Sequence, residues 1–279
     1  MIDVQFELFP VAKPSAKEIV AAALAHNPVA RFALFSGGDG SLEATHWLME
    51  NVPGCEVLHI VTGIGLKLTT EFVRETCERQ GWPLTVLRAK EDCGQDYREI
   101  VREHGFPGPA GHQFMYRRLK DRAIELVVRQ RKQKRSDKVM LATGIRRDDS
   151  QRRTGYGGRE INFRWAQMWV NPFYWRPSID MAEWSARTGI PRNPASITLG
   201  MSGECLCGAF ATPGELGLVR LLEPDTADYI EELEREAFAL GHCWRWEERP
   251  PRSAATVDAP DLFNPMCVNC MKSQRAEAA

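Results

Sequence analysis

Ser36-Gly37-Gly38-Asp39-Gly40-Ser41 follows a short apolar run, Phe32-Ala33-Leu34-Phe35, and precedes a helix-like segment, Leu42 to Glu50. Strand, glycine-rich turn and helix start form the context of a phosphate-binding loop. Glycines let the backbone approach an anion, Ser36 and Ser41 add hydroxyl donors, and the helix presents unpaired N–H groups at its positive end. The alternative is a tight strand-to-helix connection and nothing more. The loop is not of the Walker type, because no Gly-Lys-Ser/Thr follows, and it is not a Gly-x-Gly-x-x-Gly fingerprint.

Two cysteine pairs form the second constellation: Cys205-Leu206-Cys207 and Cys267-Val268-Asn269-Cys270. Four thiolates presented from two turns suit a tetrahedral zinc or a cubane iron–sulfur cluster, and spacing alone does not choose between them. The alternative is four unrelated thiols. Cys55, Cys77 and Cys93 stand alone and read as buried thiols, and Cys243, beside His242, is a rival ligand. A third group, Thr143-Gly144 through Arg153, carries Arg146, Arg152 and Arg153, which suit bidentate contact with phosphate or sulfate; its alternative is a solvated basic loop.

Elements must bring these groups together. The pattern predicts strands at Arg31–Phe35, Glu56–Val61, Leu84–Arg88 and Lys138–Thr143, and an edge strand at Met168–Pro172. It predicts helices at Ser41–Glu50, Thr69–Gln80 (stopped by Gly81), Gln95–His104, Tyr116–Lys132 and Asp225–Leu240. Repeated β-α-β units imply a parallel sheet flanked by helices, with ligands beyond the carboxyl ends of the strands. The Ser36 loop, Thr62-Gly63 and Thr143-Gly144 would then share one sheet edge. Gly155–Arg159 reads as a polar loop, and Trp165, Trp169, Trp175 and Trp184 read as packing residues.

The chain has 279 residues and a net charge of −1, which gives no global pull toward nucleic acid or membrane. Charge is uneven, however: Arg117–Arg153 holds 14 Lys/Arg against 5 Asp/Glu, and Leu199 to the end holds 7 against 14. The basic stretch could meet phosphates or be a solvated helix face. The amino terminus lacks a signal-peptide pattern and no run is long enough to span a bilayer, so the expected location is cytoplasmic, without a disulfide framework.

Taken together, these motifs resemble the PP-loop ATP pyrophosphatases, whose loop reads Ser-Gly-Gly-x-Asp-Ser, and their phosphoadenosine-phosphosulfate (PAPS) reductase branch. Thr62-Gly63, Thr143–Arg153, Trp184 and Pro191-Arg192-Asn193-Pro194 carry the branch resemblance, and Cys205-x-Cys207 falls where that branch often begins its cluster motif. The resemblance covers roughly residues 30 to 272. It implies an adenine nucleotide alpha-hydrolase-like α/β domain over residues 1–196 and a cluster-binding extension over residues 197–279. It implies a [4Fe–4S] cluster on Cys205, Cys207, Cys267 and Cys270, in preference to zinc. ATP or an adenylyl sulfate would bind at Ser36, Gly37, Gly38, Gly40, Ser41, Thr62, Gly63, Gly144, Arg152 and Arg153. Asp39 and Arg146 would be catalytic, with Mg²⁺ on the phosphates.

The implied activity is ATP pyrophosphatase chemistry driving sulfur transfer, as in the DndC-like proteins of DNA phosphorothioation. A cysteine desulfurase would be the sulfur donor, and DNA or tRNA the acceptor. The alternatives are a sulfonucleotide reductase and a non-catalytic nucleotide sensor. Three features depart from the family. Gly40 stands where the loop usually has aspartate, and Val61 replaces the acidic residue before the Thr-Gly turn. The reductases' Glu-Cys-Gly-Leu/Ile-His tail is absent from a sequence ending Glu277-Ala278-Ala279, which on the resemblance speaks against thioredoxin-linked reduction.

Overall fold

A computed structural model describes residues 13–149 and 159–250. Its centre is one six-stranded sheet in the order β3-β2-β1-β4-β6-β5. The strands are β1 (Ala30–Leu34), β2 (Cys55–Val61), β3 (Leu84–Arg88), β4 (Val139–Ala142), β5 (Ile161–Arg164) and β6 (Gln167–Val170). All neighbours are parallel except β5, which runs antiparallel to β6. The four strands expected in the first half are therefore present. The segment expected as an edge strand, Met168–Pro172, instead lies inside the sheet as β6, because β5 covers it.

Burial explains the sheet. β4 is buried along its whole length, the pattern of a parallel strand covered on both faces. Its side chains alternate between two clusters. Met140 and Ala142 pack toward Ile19, Val20 and Leu48, carried by α1 (Ala16–Leu24) and α2 (Asp39–Asn51). Val139 and Leu141 pack with Phe32 and Leu58 toward Ile124 and Val127 of α7 (Arg122–Arg131).

Local signals set the helix ends. Ser15 and Glu18 form a reciprocal capping box that starts α1. Gly81, at φ 66°, stops α3 (Lys67–Gln80) as the sequence predicts. After β3 come α4 (Ala89–Cys93) and α5 (Tyr97–His104). The expected long basic helix begins earlier than Tyr116: α6 (His112–Tyr116) passes through a wide π turn, Arg117–Asp121, into α7. Such turns in α-helices recur at functional sites. The last helices are α8 (Met181–Thr188), α9 (Pro194–Leu199), α10 (Glu215–Leu222) and α11 (Pro224–Ala239).

The chain runs outward from β1 through β2 to β3, then returns to the other side of β1 as β4. The carboxyl ends of β1 and β4 therefore form a topological switch point, where open α/β sheets place ligands. Residues after 196 share a core with the sheet domain: Leu206, Val219, Ile230 and Trp246 cluster with Ile64, Leu66, Tyr97 and Leu119. No helix among the described residues is long and apolar enough to cross a membrane.

Candidate functional site

The Ser36–Ser41 loop leaves the end of β1, and α2 begins at Asp39 with Gly38 as its N-cap. No side chain caps that helix start, and its first residues, Gly38 to Ser41, line the cavity above. Gly37 sits at φ +81°, and a Cβ there would lie 2.7 Å from Thr69 Cγ2, so only glycine fits. Ser41 Oγ donates to the Gly38 carbonyl at 2.8 Å and lies 3.1 Å from Ser36 Oγ. A cavity of about 190 Å³ lies over the loop. Its wall includes Ser36, Gly38 to Ser41, and Thr143 to Ile145 at the end of β4.

Three braces hold the loop. Asn193 is fully buried; its amide donates to the carbonyl of Gly37 at 3.0 Å, to Thr69 Oγ1 at 3.2 Å and to the Ser202 carbonyl at 3.2 Å. Its own oxygen caps α9 by accepting from Ala195 N–H. Arg192 grips Asp39 through two hydrogen bonds, Nε to Oδ1 at 3.2 Å and Nη2 to Oδ2 at 2.6 Å.

The third brace is Arg146, which is buried and paired with the buried Glu43 of α2. The other Glu43 oxygen lies 2.9 Å from Arg176 Nη2, an ion-pair contact too misaligned to be a hydrogen bond. Both guanidinium groups sit over the Phe173 ring, at 5.6 and 4.6 Å. A Cβ on Gly40 would stand 3.1 Å from Arg146 Nη1, and one on Gly144 would stand 2.0 Å from the Gly40 carbonyl oxygen. A side chain at Gly40, where the family loop carries aspartate, would thus meet Arg146 Nη1 at 3.1 Å and the Gly144 carbonyl at 3.5 Å, so Arg146 would have to shift slightly to admit it.

Beneath β1, His59 of β2 is buried, with Nδ1 2.8 Å from the Phe35 carbonyl and Nε2 3.3 Å from Thr70 Oγ1. Burial pushes its pKa down to about 4, against a smaller upward pull from the Phe35 hydrogen bond. The ring is therefore neutral near pH 7 and positions the last carbonyl before the loop.

A smaller cavity of about 40 Å³ adjoins the first and is lined by Cys205, Cys207, His112 and Met115. The segment carrying the two cysteines is clamped on all sides. Thr62 Oγ1 donates to the Glu204 carbonyl at 2.8 Å, and Leu206 N–H to the Ile64 carbonyl at 3.1 Å. The Tyr97 hydroxyl donates to the Cys207 carbonyl at 3.1 Å, and the Trp246 indole to the Leu206 carbonyl at 2.7 Å. Burial, with the Cys207 and Cys205 thiols nearby, holds the Tyr97 phenol well above its ordinary pKa, so it stays a donor. Tyr116, Lys120 and Met201 line both cavities. In that shared wall Lys120 Nζ lies 2.7 Å from Glu204 Oε2, with both side chains largely buried.

The expected site residues thus fall into groups. Ser36, Gly38, Asp39, Gly40, Ser41 and Gly144 line one cavity, with Gly37 turning the loop beside them. Thr62 shares the sheet edge but turns its hydroxyl to the cysteine segment, and neither it nor Gly63 lines the loop cavity. Arg146 lies behind the loop rather than in the cavity wall. Cys205 and Cys207 meet at one cavity, while Arg152, Arg153, Cys267 and Cys270 lie outside the described residues, as does most of Gly155–Arg159. Among the described residues no three metal-ligating side chains come together. Cys243 is exposed and contacts the Gly241 carbonyl instead of the small cavity. Cys55 and Cys77 are buried thiols with pKa values pushed up to about 12 by burial. Glu43, Lys120 and Glu204 are site residues that no local motif announces.

Fold and site together define a family. The model described as the phosphoadenosine phosphosulfate reductase domain matches residues 30–195, more than half of the chain, and the chain belongs to that family. The family is one of enzymes that act on nucleotides and sulfur. Among solved structures, the chain is similar to PAPS reductase from Candida auris in a phosphate complex. That match has 14% identity, covers 68% of this chain and 86% of that one, and has a TM-score of 0.49. It is also similar to the U34-tRNA thiolase NcsA from Methanococcus maripaludis with its [4Fe-4S] cluster. Here identity is 13%, coverage is 81% of this chain and 74% of that one, and the TM-score is 0.45. No curated protein matches the chain.

Proposed function

We propose that the chain binds ATP over the Ser36–Ser41 loop and uses it to drive sulfur transfer to a nucleic-acid acceptor, the chemistry of DNA phosphorothioation. The observation that carries this reading is the wall shared by the loop cavity and the cysteine cavity, through Tyr116, Lys120 and Met201. A nucleotide site and a thiol site that share one wall suit a reaction in which activation and sulfur delivery occur side by side.

Loop N–H groups and the Ser36 and Ser41 hydroxyls would hold the phosphates and stabilise charge developing on them. An acceptor oxygen attacks the α-phosphate, the bond to the β-phosphate breaks, and pyrophosphate leaves. The terminal sulfur of a desulfurase persulfide then attacks the activated centre, the acceptor oxygen departs with AMP, and a thiol reductant cleaves the remaining S–S bond, leaving the sulfur on the acceptor and a disulfide on the donor side. Arg146 acts as a positioning residue, tying the start of α2 to the turn after β4 through Glu43. Arg152 and Arg153 would cover the phosphates. Asp39 is the loop's own carboxylate, and to ligate Mg²⁺ it would have to leave Arg192; the ion, when bound, neutralises phosphate charge.

The two thiols at the small cavity are soft donors that fit half of a four-thiolate set, with Cys267 and Cys270 as the other half. A [4Fe–4S] cluster bound there supplies a place to hold sulfur. Anaerobically reconstituted protein given ATP, a persulfide donor and DNA should release pyrophosphate only when the acceptor is present. The family's name favours a second reading, in which the same cavity holds an adenylyl sulfate and reduces it. Sulfite production from that substrate, without acceptor-dependent pyrophosphate from ATP, would replace the first reading with the second.

A further inference from the structure

The rear of the basic helix faces away from the nucleotide site. α7 ends at Arg131, and the chain returns to β4 at the amino edge of the sheet, the end opposite the Ser36 loop. There a shallow groove of about 500 Å³ runs between this turn and the β5–β6 hairpin. Arg129, Lys132, Lys134 and Arg135 line one side, and Arg164 and Trp165 the other. Five cations therefore stand against Glu125 in the lining and Asp137 in the same turn, which leaves the groove net positive although the whole chain is near neutral. Arg164 is partly answered by Asp121 at 2.8 Å and Glu125 at 3.5 Å; the other four cations are contributed by α7 and the turn after it.

Trp165 is the anomaly. Of the four tryptophans read as packing residues, Trp169 and Trp184 are buried and Trp175 is half-buried, but Trp165 is 84% exposed. It also sits at φ 53°, as the first of the two residues that close the hairpin between the paired Arg164 and Gln167. Glycine or asparagine normally fills such a position; a bulky side chain there costs about 1–2 kcal/mol of backbone strain. Lys138 Nζ donates to its carbonyl and helps hold the turn. The ring therefore combines exposure with strain and buries little in return, the pattern of a residue kept for contact with something else.

We infer that this groove docks a single-stranded nucleic acid, with phosphates on the arginines and lysines and an unpaired base stacked on Trp165. Cations tracking a backbone beside an exposed aromatic face are the two requirements of such binding. The inference rests on the sulfur-transfer reading for its purpose, as the acceptor's anchor away from the reacting atoms, but docking is measured without turnover.

The test is fluorescence anisotropy of the full chain with labelled short DNA and RNA strands, the corresponding duplex, and polyglutamate. Single strands should bind more tightly than duplex or polyglutamate. Trp165→Gly should weaken single-strand binding roughly 5- to 100-fold, while its melting temperature stays at or above that of the parent. Lys132→Glu with Arg135→Glu should weaken binding and flatten its salt dependence. Arg79→Glu, exposed on α3, should change neither. An absence of strand binding at low salt, a Trp165→Gly variant that binds unchanged or melts lower, or equal binding of polyglutamate would each overturn the inference. ATP binding, read on the same samples, fails or survives separately and judges the nucleotide site alone.

Discussion

Asn193 concentrates more of the loop's geometry in one side chain than any glycine does. Its amide is the donor to Gly37, Thr69 and Ser202, and its oxygen starts α9. Asn193→Asp keeps the cap and the shape but loses the donor. It should weaken ATP binding about tenfold and cost about 2–3 kcal/mol of stability, since a buried carboxylate then faces the Gly37 and Ser202 carbonyls in place of a donor, even though Ser196 Oγ at 3.3 Å and Thr69 Oγ1 at 2.6 Å still donate to them. Isothermal titration and thermal melting read the two effects; an Asp variant that binds ATP like the parent would remove Asn193 from the site. The sequence marked Arg192-Asn193 as a motif but could not give it a task, because Gly37 is 156 positions away. The same limit applies at Gly40. The missing aspartate is visible in sequence, whereas the guanidinium that crowds its place belongs to Arg146, on another strand's turn.

At the level of elements, single buried polar contacts join the pieces that local patterns predict one by one. His59 links β2 to the end of β1 and to α3, and it can do so only as a neutral ring. Its folded pKa of about 4 lies below the ordinary value of 6.5, so the unfolded chain binds more protons between those limits. Its contribution is complete above about pH 6.5 and is lost as pH falls toward 4, a loss on the order of 3 kcal/mol. Urea unfolding across that window should show stability rising with pH, and His59→Gln should flatten the slope. A slope unchanged in the variant would assign the effect to other groups. Glu43 performs the matching task for α2. Glu43→Ala removes the carboxylate shared by Arg146 and Arg176 and should cost about 3–5 kcal/mol. Arg146→Met on that background should recover part of the loss, as read by chemical denaturation. The strands and helices of the first half were legible because apolar runs and glycine stops are local signals. β5 escaped because four residues at an edge, two of them exposed, carry no clear alternation. α1 and α8 did carry readable caps, Ser15 with Glu18 and Asp180 with Gly189.

Across the whole molecule, the segment after 199 folds back onto the turn between β2 and α3 and so becomes a wall of the loop cavity. Ser202 and Glu204 accept from Thr69 and Thr62, and Gly203 accepts from Leu66 N–H; each contact spans well over a hundred positions, out of reach of any local pattern. Lys120, on the wide turn of the basic helix, meets Glu204 at the centre of that wall. Removing one member of a buried pair is strongly destabilising, whereas removing both can be neutral. Lys120→Met should therefore lower the melting temperature, and Lys120→Met with Glu204→Gln should recover it. Because the wall serves two cavities, both variants should weaken ATP binding and speed alkylation of Cys205 in metal-free protein, mapped by peptide mass spectrometry. Lys90→Met, which breaks the pair of the exposed Lys90 with Asp96 far from both cavities, should do neither. If ATP affinity changes while Cys205 keeps its parent rate, or the reverse, the two cavities do not act as one site and the proposed coupling of activation to sulfur delivery loses its structural basis.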